Sequence, residues 1–237
     1  QDFTMLEGYG AYRNYKDNMA FLKDMLQTVI SKIFGTLCIQ VGDKMVDLSG
    51  EWPTVSFREL ILQYADIDIF VDDTAEKLLQ KIVEKKIEID SEVPLENLGY
   101  GNLVDQLYKK VARPHLVNPV FLVEHPISLS PLARANDENP NITDRFQLVI
   151  NGAEIINAYS ELVDPQEQER RLEEQAKLKA GGDEEAMPMD YDYISAMEYG
   201  MPPISGWGIG IDRLIQLLTA SDNIKDVVLF PLMRPKD

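Results

Sequence analysis

The stretch Pro203-Ile204-Ser205-Gly206-Trp207-Gly208-Ile209-Gly210-Ile211-Asp212-Arg213-Leu214 changes period halfway along, and that change decides the fold. In its first half Gly206, Gly208 and Gly210 alternate with Trp207, Ile209 and Ile211. Successive strand residues point to opposite faces, so one face here carries no side chains and another group can approach its backbone. In the second half Ile211, Leu214, Ile215 and Leu218 recur at helical spacing. Asp212 falls in the first helical turn, where an acid complements the macrodipole. Arg213 leaves the chain where bare strand becomes helix, so its guanidinium can reach over the cleared surface. A planar ligand against the glycines, with an anionic group under Arg213, fits this pattern. Close strand–helix packing with Arg213 in a structural ion pair fits it equally well.

Working outward, Phe3, Met5, Glu7 and Tyr9 share one face of an opening strand, and Thr4, Leu6 and Gly8 share the other. No leader, cap or turn precedes it, the pattern of a fragment that begins inside a domain. Asp17 is placed to cap a helix with the apolar stripe Leu22, Met25, Leu26, Val29, Ile30 and Ile33, ended by Gly35. Residues 37–41 and 44–48 flank Gly42-Asp43 as a short hairpin. Residues 53–97 read as a charged helical insertion, a solvated excursion with helices over 57–64 and 74–86. An amphipathic helix over 102–113 and a buried strand over 119–124 follow.

Residues 128–145, polar and interrupted by Pro131 and Pro140, make an ordered loop held by Arg134, Asp137 and Asp144. Residues 146–150 and 154–161 flank Asn151-Gly152, the strongest short-range hairpin signal in the chain. Asp164-Pro165-Gln166-Glu167 opens an acidic, solvent-facing helix that runs to about Ala180 and stops at Gly181-Gly182. A short helix over 193–199 and a final apolar strand over 227–229 complete the order. With no internal repeat and no low-complexity linker, residues 1–237 read as one α+β domain, an antiparallel β-sheet flanked by helices.

Composition narrows the function. A chain of 237 residues, 45% hydrophobic, can bury a substantial core, and no apolar run in it approaches a membrane span. One cysteine, Cys38, excludes an internal disulfide framework, and with two histidines it leaves a structural zinc cluster short of ligands. The net charge of −17 excludes a nucleic-acid grip by general phosphate neutralisation. Contact with RNA must be local or depend on residues outside this stretch.

Asn157, Tyr159 and Glu161 are two apart on the second strand of the Asn151-Gly152 hairpin and face one way, as Glu7 and Tyr9 do on the opening strand. If these strands share a sheet, two carboxylates, two phenols and an amide converge beside the glycine strand and favour a cationic ligand. Solvent-facing positions of a half-exposed strand give the same alternation. His125, at the end of an apolar strand, is expected to be a satisfied structural histidine.

Four stretches resemble the class II lysyl-tRNA synthetases. Gly206-Trp-Gly-Ile-Gly-Ile-Asp-Arg213 looks like their third signature motif, and residues 1–15, containing Asp-Phe-Thr-Met-Leu-Glu-Gly-Tyr-Gly-Ala-Tyr, resemble the later half of the second. The run from Pro126-Ile-Ser-Leu-Ser-Pro-Leu-Ala-Arg to Phe146 is similar to the segment before their substrate hairpin. Glu154-Ile-Ile-Asn-Ala-Tyr-Ser-Glu-Leu-Val-Asp-Pro resembles that hairpin's second strand. The match is weakest across 53–97.

The resemblance implies a class II synthetase-like catalytic core and a lysine–tRNA ligase that activates lysine with ATP and Mg2+ before transfer to tRNA. Glu161 and Tyr9 would hold the ε-ammonium of lysine, Glu7 its α-ammonium and Asn157 its carboxylate, with Tyr159 lining the pocket. Gly206, Gly208 and Gly210 would lie beneath the adenine. Arg213 would hold the terminal phosphates and Glu154 the magnesium, making these two the catalytic residues. Because Glu154 is an odd number of residues from Asn157, a bulge between them is required. The resemblance also implies a cytoplasmic location and a homodimer for the full-length family.

This chain departs from the family in two ways. Gln147 stands where family members usually have an acid, and an amide is a weak magnesium ligand. The first signature motif, the second motif's ATP-binding arginine and the anticodon-binding barrel are not within the 237 residues, so the isolated chain is expected to be inactive. A non-catalytic synthetase-like binding or regulatory module, or a related ligase that lysylates a protein, are the alternatives.

Overall fold

Local signals set most of the elements in the computed structural model, which describes residues 3–91 and 93–231. Gln1 and Asp2, at the head of the stretch resembling the second motif, lie outside the described residues. Strand β1 (Met5–Ala11) leads into helix α1 (Tyr15–Phe34). The α1 cap is Asn14, not Asp17: Asn14 is extended and its side chain accepts from the Lys16 and Asp17 amides. Asp17 sits three residues in and closes the capping box by accepting from Asn14 N–H at 2.9 Å. The α1 helix ends where Gly35 turns left-handed at φ 68°. Strands β2 (Cys38–Val41) and β3 (Lys44–Asp47) form the expected small hairpin.

Strand β4 (Thr54–Ser56) precedes helices α2 (Phe57–Ala65), α3 (Ala75–Glu84) and α4 (Tyr100–Val111). Strands β5 (Val120–Val123), β6 (Arg145–Ile150) and β7 (Ala153–Ser160) follow. Asn151 and Gly152, at φ 49° and 71°, form the left-handed two-residue turn between β6 and β7. Helices α5 (Pro165–Ala180) and α6 (Tyr191–Glu198), strand β8 (Ile204–Gly210) and helix α7 (Ile211–Leu218) complete the order.

Six strands make one sheet in the order β1-β8-β7-β6-β5-β4. The fold is α+β as expected, but the sheet is not wholly antiparallel, because β4 runs parallel to β5 at its edge. One face of the sheet packs Phe121, Phe146, Leu148, Ile156, Ala158 and Ile209 against the inner stripe of α1 and the β2–β3 hairpin. The N-terminus of α1 is tied to this sheet: Tyr15 N–H donates to Ser160 Oγ, and Asn18 Nδ2 donates to Ser205 Oγ.

The opposite face is divided. Its β4–β6 half carries Val120, Leu122 and Val149 beneath α2, α3 and α4. Its β6–β1 half is not covered by that helical cluster. Residues 53–97 are therefore no solvated excursion: Phe57, Leu60, Ile61, Ile67, Ile69, Leu78 and Ile82 are all buried in this second core. Their apolar stripes are short and broken by charge, so the sequence hides how much surface they cover.

Two smaller expectations also fail. Residues 227–229 are not a strand; a 3-10 turn runs over Ile224–Val227, started by Asn223 accepting from the Lys225 amide. Helix α5 is not only a solvated face, since Gln168, Arg171 and Leu172 are buried. Arg171 and Gln168 donate to the carbonyls of Ala133 and Pro131 and so clamp the 128–145 loop.

Replacing Phe57, which packs at a tilt against Tyr108 (4.7 Å) and His125 (5.1 Å), by alanine is expected to cost about 3–5 kcal/mol in chemical denaturation. A loss under about 1 kcal/mol would mean that the helical segment adds little to the core.

Candidate active site on the open half of the sheet

Cross-strand partners in an antiparallel sheet point to the same face, so the register places the side chains. Across the uncovered half, Glu7 pairs with Gly208, which pairs with Asn157, which pairs with Gln147. One row along, Tyr9 pairs with Gly206, then Tyr159, then Arg145. A third row begins with Met5 opposite Gly210. The β8 column is all glycine, and these absent side chains open a cavity of about 410 Å³.

Its lining includes Glu7, Tyr9, Glu154, Asn157, Tyr159, Glu161, Gly206, Gly208, Gly210 and Arg213, every residue the sequence singled out for lysine or ATP. A Cβ on Gly206 would come within 2.5 Å of Tyr9 Cε1 and 2.6 Å of Glu161 Oε1. The strand is thus bare of its own side chains but closed over at this end by its neighbours. At Gly210 the nearest atom to such a Cβ is Arg213 Cδ at 3.6 Å, and the bed is open.

The bulge required between Glu154 and Asn157 is present. Ile156 pairs with Leu148 and Glu154 with Val149, which leaves Ile155 as the extra residue. Glu154 thereby joins the face of Asn157 and Tyr159. Its Oε2 accepts from Gln147 Nε2 at 2.6 Å, and its backbone carbonyl accepts from Arg213 at 3.2 Å. Burial raises the Glu154 pKa, opposed by the Arg145 and Arg213 charges.

Acid lines the whole length of the cavity, and basic charge joins it at one end. At the Gly206 end Glu161 is 7% exposed, and burial alone pushes its carboxyl up to about 7. Tyr9, Tyr159 and Tyr193 surround it with raised pKa values, each first from burial and then from neighbouring groups that include Glu161. At the Gly210 end Arg213 lines the cavity together with the carboxylates of Glu154 and Asp212.

Some neighbours were not apparent from sequence. Tyr193 reaches this site from α6, and Asp212 ties α7 to the head of β1 by accepting from Thr4 N–H at 2.7 Å. Arg145 lies behind Asn157 and donates to its Oδ1 at 2.9 Å. Counting back from the Asn151-Gly152 turn without the bulge would pair Arg145 with Ala158 and so misplace its row. His125 does not line the cavity. It is buried, and neither ring nitrogen makes a hydrogen bond of good geometry among the described residues, although the Gln147 side chain and the Arg145 backbone lie close enough to favour its charged form. Burial and the Arg145 charge hold it well below the usual histidine range, and so neutral. Arg134 and Asp137 pair at 2.7 Å and Asp144 accepts from Asn136 at 2.8 Å, holding their loop together as expected.

No group of three or more His, Cys, Asp or Glu side chains among the described residues is arranged to hold a metal ion. No helix among them is long and apolar enough to cross a membrane. The chain belongs to the class II tRNA synthetases: the family model for tRNA synthetases class II (D, K and N) matches residues 1–234. Within that class its relatives include the lysine–tRNA ligase of Dehalococcoides mccartyi, 41% identical over 237 residues, which are 100% of this chain and 47% of the relative. The lysine–tRNA ligase of Thermosipho africanus is 43% identical over 234 residues (99% of this chain, 45% of the relative). That of Bacillus cereus is 42% identical over 235 residues (99% and 46%). The chain spans about half the length of these curated relatives.

Glu161 titrates near 7 in the folded chain against 4.5 ordinarily, so the fold binds more protons than the unfolded chain between those values and loses stability as pH rises through them. Glu161→Gln should therefore stabilise the ligand-free chain at pH 8 by up to about 3 kcal/mol relative to its effect at pH 5. Denaturation at both pH values tests this. An equal effect at both would show that the carboxyl is not destabilised by burial.

Proposed function

We propose that this chain is the lysine- and ATP-binding portion of the catalytic domain of a lysine–tRNA ligase, with residues 53–97 as a helical insertion. The observation that carries the reading is the row register. Tyr9, Tyr159 and Glu161 gather at Gly206, while Glu7 and Asn157 flank Gly208 one row further on. Rows two residues apart are about 7 Å apart, roughly the reach of a four-carbon stem with its ammonium. A lysine laid along β8 would put its ε-ammonium against Glu161 and Tyr9, its α-ammonium at Glu7 and its carboxylate at Asn157. The carboxylate would then face the Gly210 end, where Arg213 can take the terminal phosphates of ATP with the adenine over the glycines.

The chemistry is adenylate formation. A carboxylate oxygen of lysine attacks the α-phosphorus, the bond to pyrophosphate breaks, and the tRNA 3′-terminal hydroxyl later displaces AMP from the carbonyl. No protein nucleophile takes part. Holding two anions in line and offsetting charge on the phosphates supply the catalysis. Magnesium would neutralise phosphate charge, and Glu154 would be the carboxylate that holds it. Magnesium bound with substrate phosphates needs only one or two protein carboxylates, so one carboxylate fits one ion.

With a net charge of −17, tRNA contact would be local or would come from other parts of the parent protein. A cytoplasmic location and a homodimeric parent go with this reading. A second reading, a binding or regulatory module without aminoacylation, is favoured by Gln147, whose amide is spent on Glu154.

Calorimetry on the chain should show lysine affinity falling about tenfold per pH unit below about 7, because the ammonium requires ionised Glu161. Glu161→Gln should abolish binding; unchanged affinity in that variant would end the lysine assignment. ATP–pyrophosphate exchange is expected from the parent protein and not from the isolated 237-residue chain. Robust exchange by the chain would refute the need for a second ATP-binding arginine.

A further inference from the structure

Arg145 is absent from the cavity lining, yet it hydrogen-bonds to a group that lines the cavity. Its Nε donates to Asn157 Oδ1 at 2.9 Å, and one terminal nitrogen donates to Leu129 O at 3.0 Å and Ser130 Oγ at 2.9 Å. The guanidinium is therefore pinned from the 128–145 loop side and aimed at Asn157. Gln147, directly opposite Asn157 in the register, does not compete, because its amide donates to Glu154.

A side-chain amide has an acceptor end and a donor end that differ little in shape. A guanidinium can only donate and keeps its charge. With Arg145 against it, the Asn157 oxygen must turn inward. The reverse orientation would set N–H against N–H and lose a hydrogen bond to a charged group, a disfavour of roughly 10- to 100-fold. What remains toward the cavity is the Asn157 Nδ2 donor.

We propose that Arg145 is a positioning residue that locks Asn157 in the one orientation able to donate to a substrate carboxylate. The inference rests on the lysine reading above, in which Asn157 meets that carboxylate. It makes recognition of the carboxylate, and not of the ammonium groups, dependent on a residue that never touches substrate. Lysine at position 145 would keep the charge but could not span the same three acceptors.

The test compares two ligands on the 237-residue chain by calorimetry: L-lysine, and cadaverine, a diamine that lacks the carboxylate. Arg145→Gln should lower lysine affinity about tenfold or more and leave cadaverine within about twofold. Asn157→Asp is the second variant. It keeps a partner for Arg145 but turns an anionic oxygen toward the cavity, so lysine binding should be lost and cadaverine binding retained or tightened. Equal losses for both ligands in a folded Arg145→Gln variant would reduce Arg145 to a structural role and overturn the proposal. If Arg145→Gln does not fold, Asn157→Asp decides, and lysine binding equal to the unsubstituted chain would overturn it. Failure of the lysine reading itself is separate: Glu161→Gln would then leave both ligands unaffected.

Discussion

Strand β8 must satisfy two partners at once, and the whole site depends on the register this imposes. Its backbone pairs with β1 from the start of the chain and with β7 from the central hairpin. Gly208 is fixed between Glu7 and Asn157, and Gly206 between Tyr9 and Tyr159. A one-residue slip on either edge would send that neighbour's polar set to the packed face. The cavity is thus a depression in a single sheet, made by leaving out side chains in one column. Its walls are as rigid as the ladder that carries them.

The two faces of the sheet divide the work. One is covered from β5 to β8 by α1 and the small hairpin and supplies stability. The other is covered only at its β4–β6 end, where α2, α3 and α4 build a second core against it. That helical segment contributes no residue to the cavity lining. Its packing ends at β6, where the uncovered half of the face begins. The same face therefore grades from a dry core through Arg145 and Gln147 to an acidic pocket. Glu161 is buried there with no salt-bridge partner among the described residues, which is unfavourable for its ionised form. Burying this carboxyl works against the fold wherever it is ionised.

Much of this was legible in the sequence, for reasons that can be named. The Gly206–Gly210 alternation, the Asn151-Gly152 turn and the Asp164 cap are local devices whose geometry follows from a few adjacent residues. The bulge followed from a parity conflict between Glu154 and Asn157, once a role was attached to both. What stayed hidden depends on distant partners. Thr54–Ser56 is too short to announce itself as a strand and is stabilised by β5, more than sixty residues away. Arg145 looked like a loop residue because its row depends on the bulge, and Tyr193, though placed in a helix, was not linked to the site because α6 approaches from outside the sheet. Asp17 and Asn14 were confused because both are good caps, and only backbone geometry separates them. The apolar run at 227–229 carried β propensity but pairs with no strand among the described residues, and a 3-10 turn runs into it over Ile224–Val227.

Ile155, the surplus residue of the bulge, sets a rule for how this chain can vary over evolutionary time. It acts as a frame-shift within the pleat, bringing the acid on its amino-terminal side onto the same surface as the amide and phenol beyond it. Point substitutions nearby can be absorbed by repacking. An insertion or deletion of one residue between Glu154 and Asn157 cannot, because it would drive a carboxylate into the layer of Phe146, Leu148 and Ile156, at a cost of several kcal/mol. Descendants of this sequence are free to change letters in that interval but not its length.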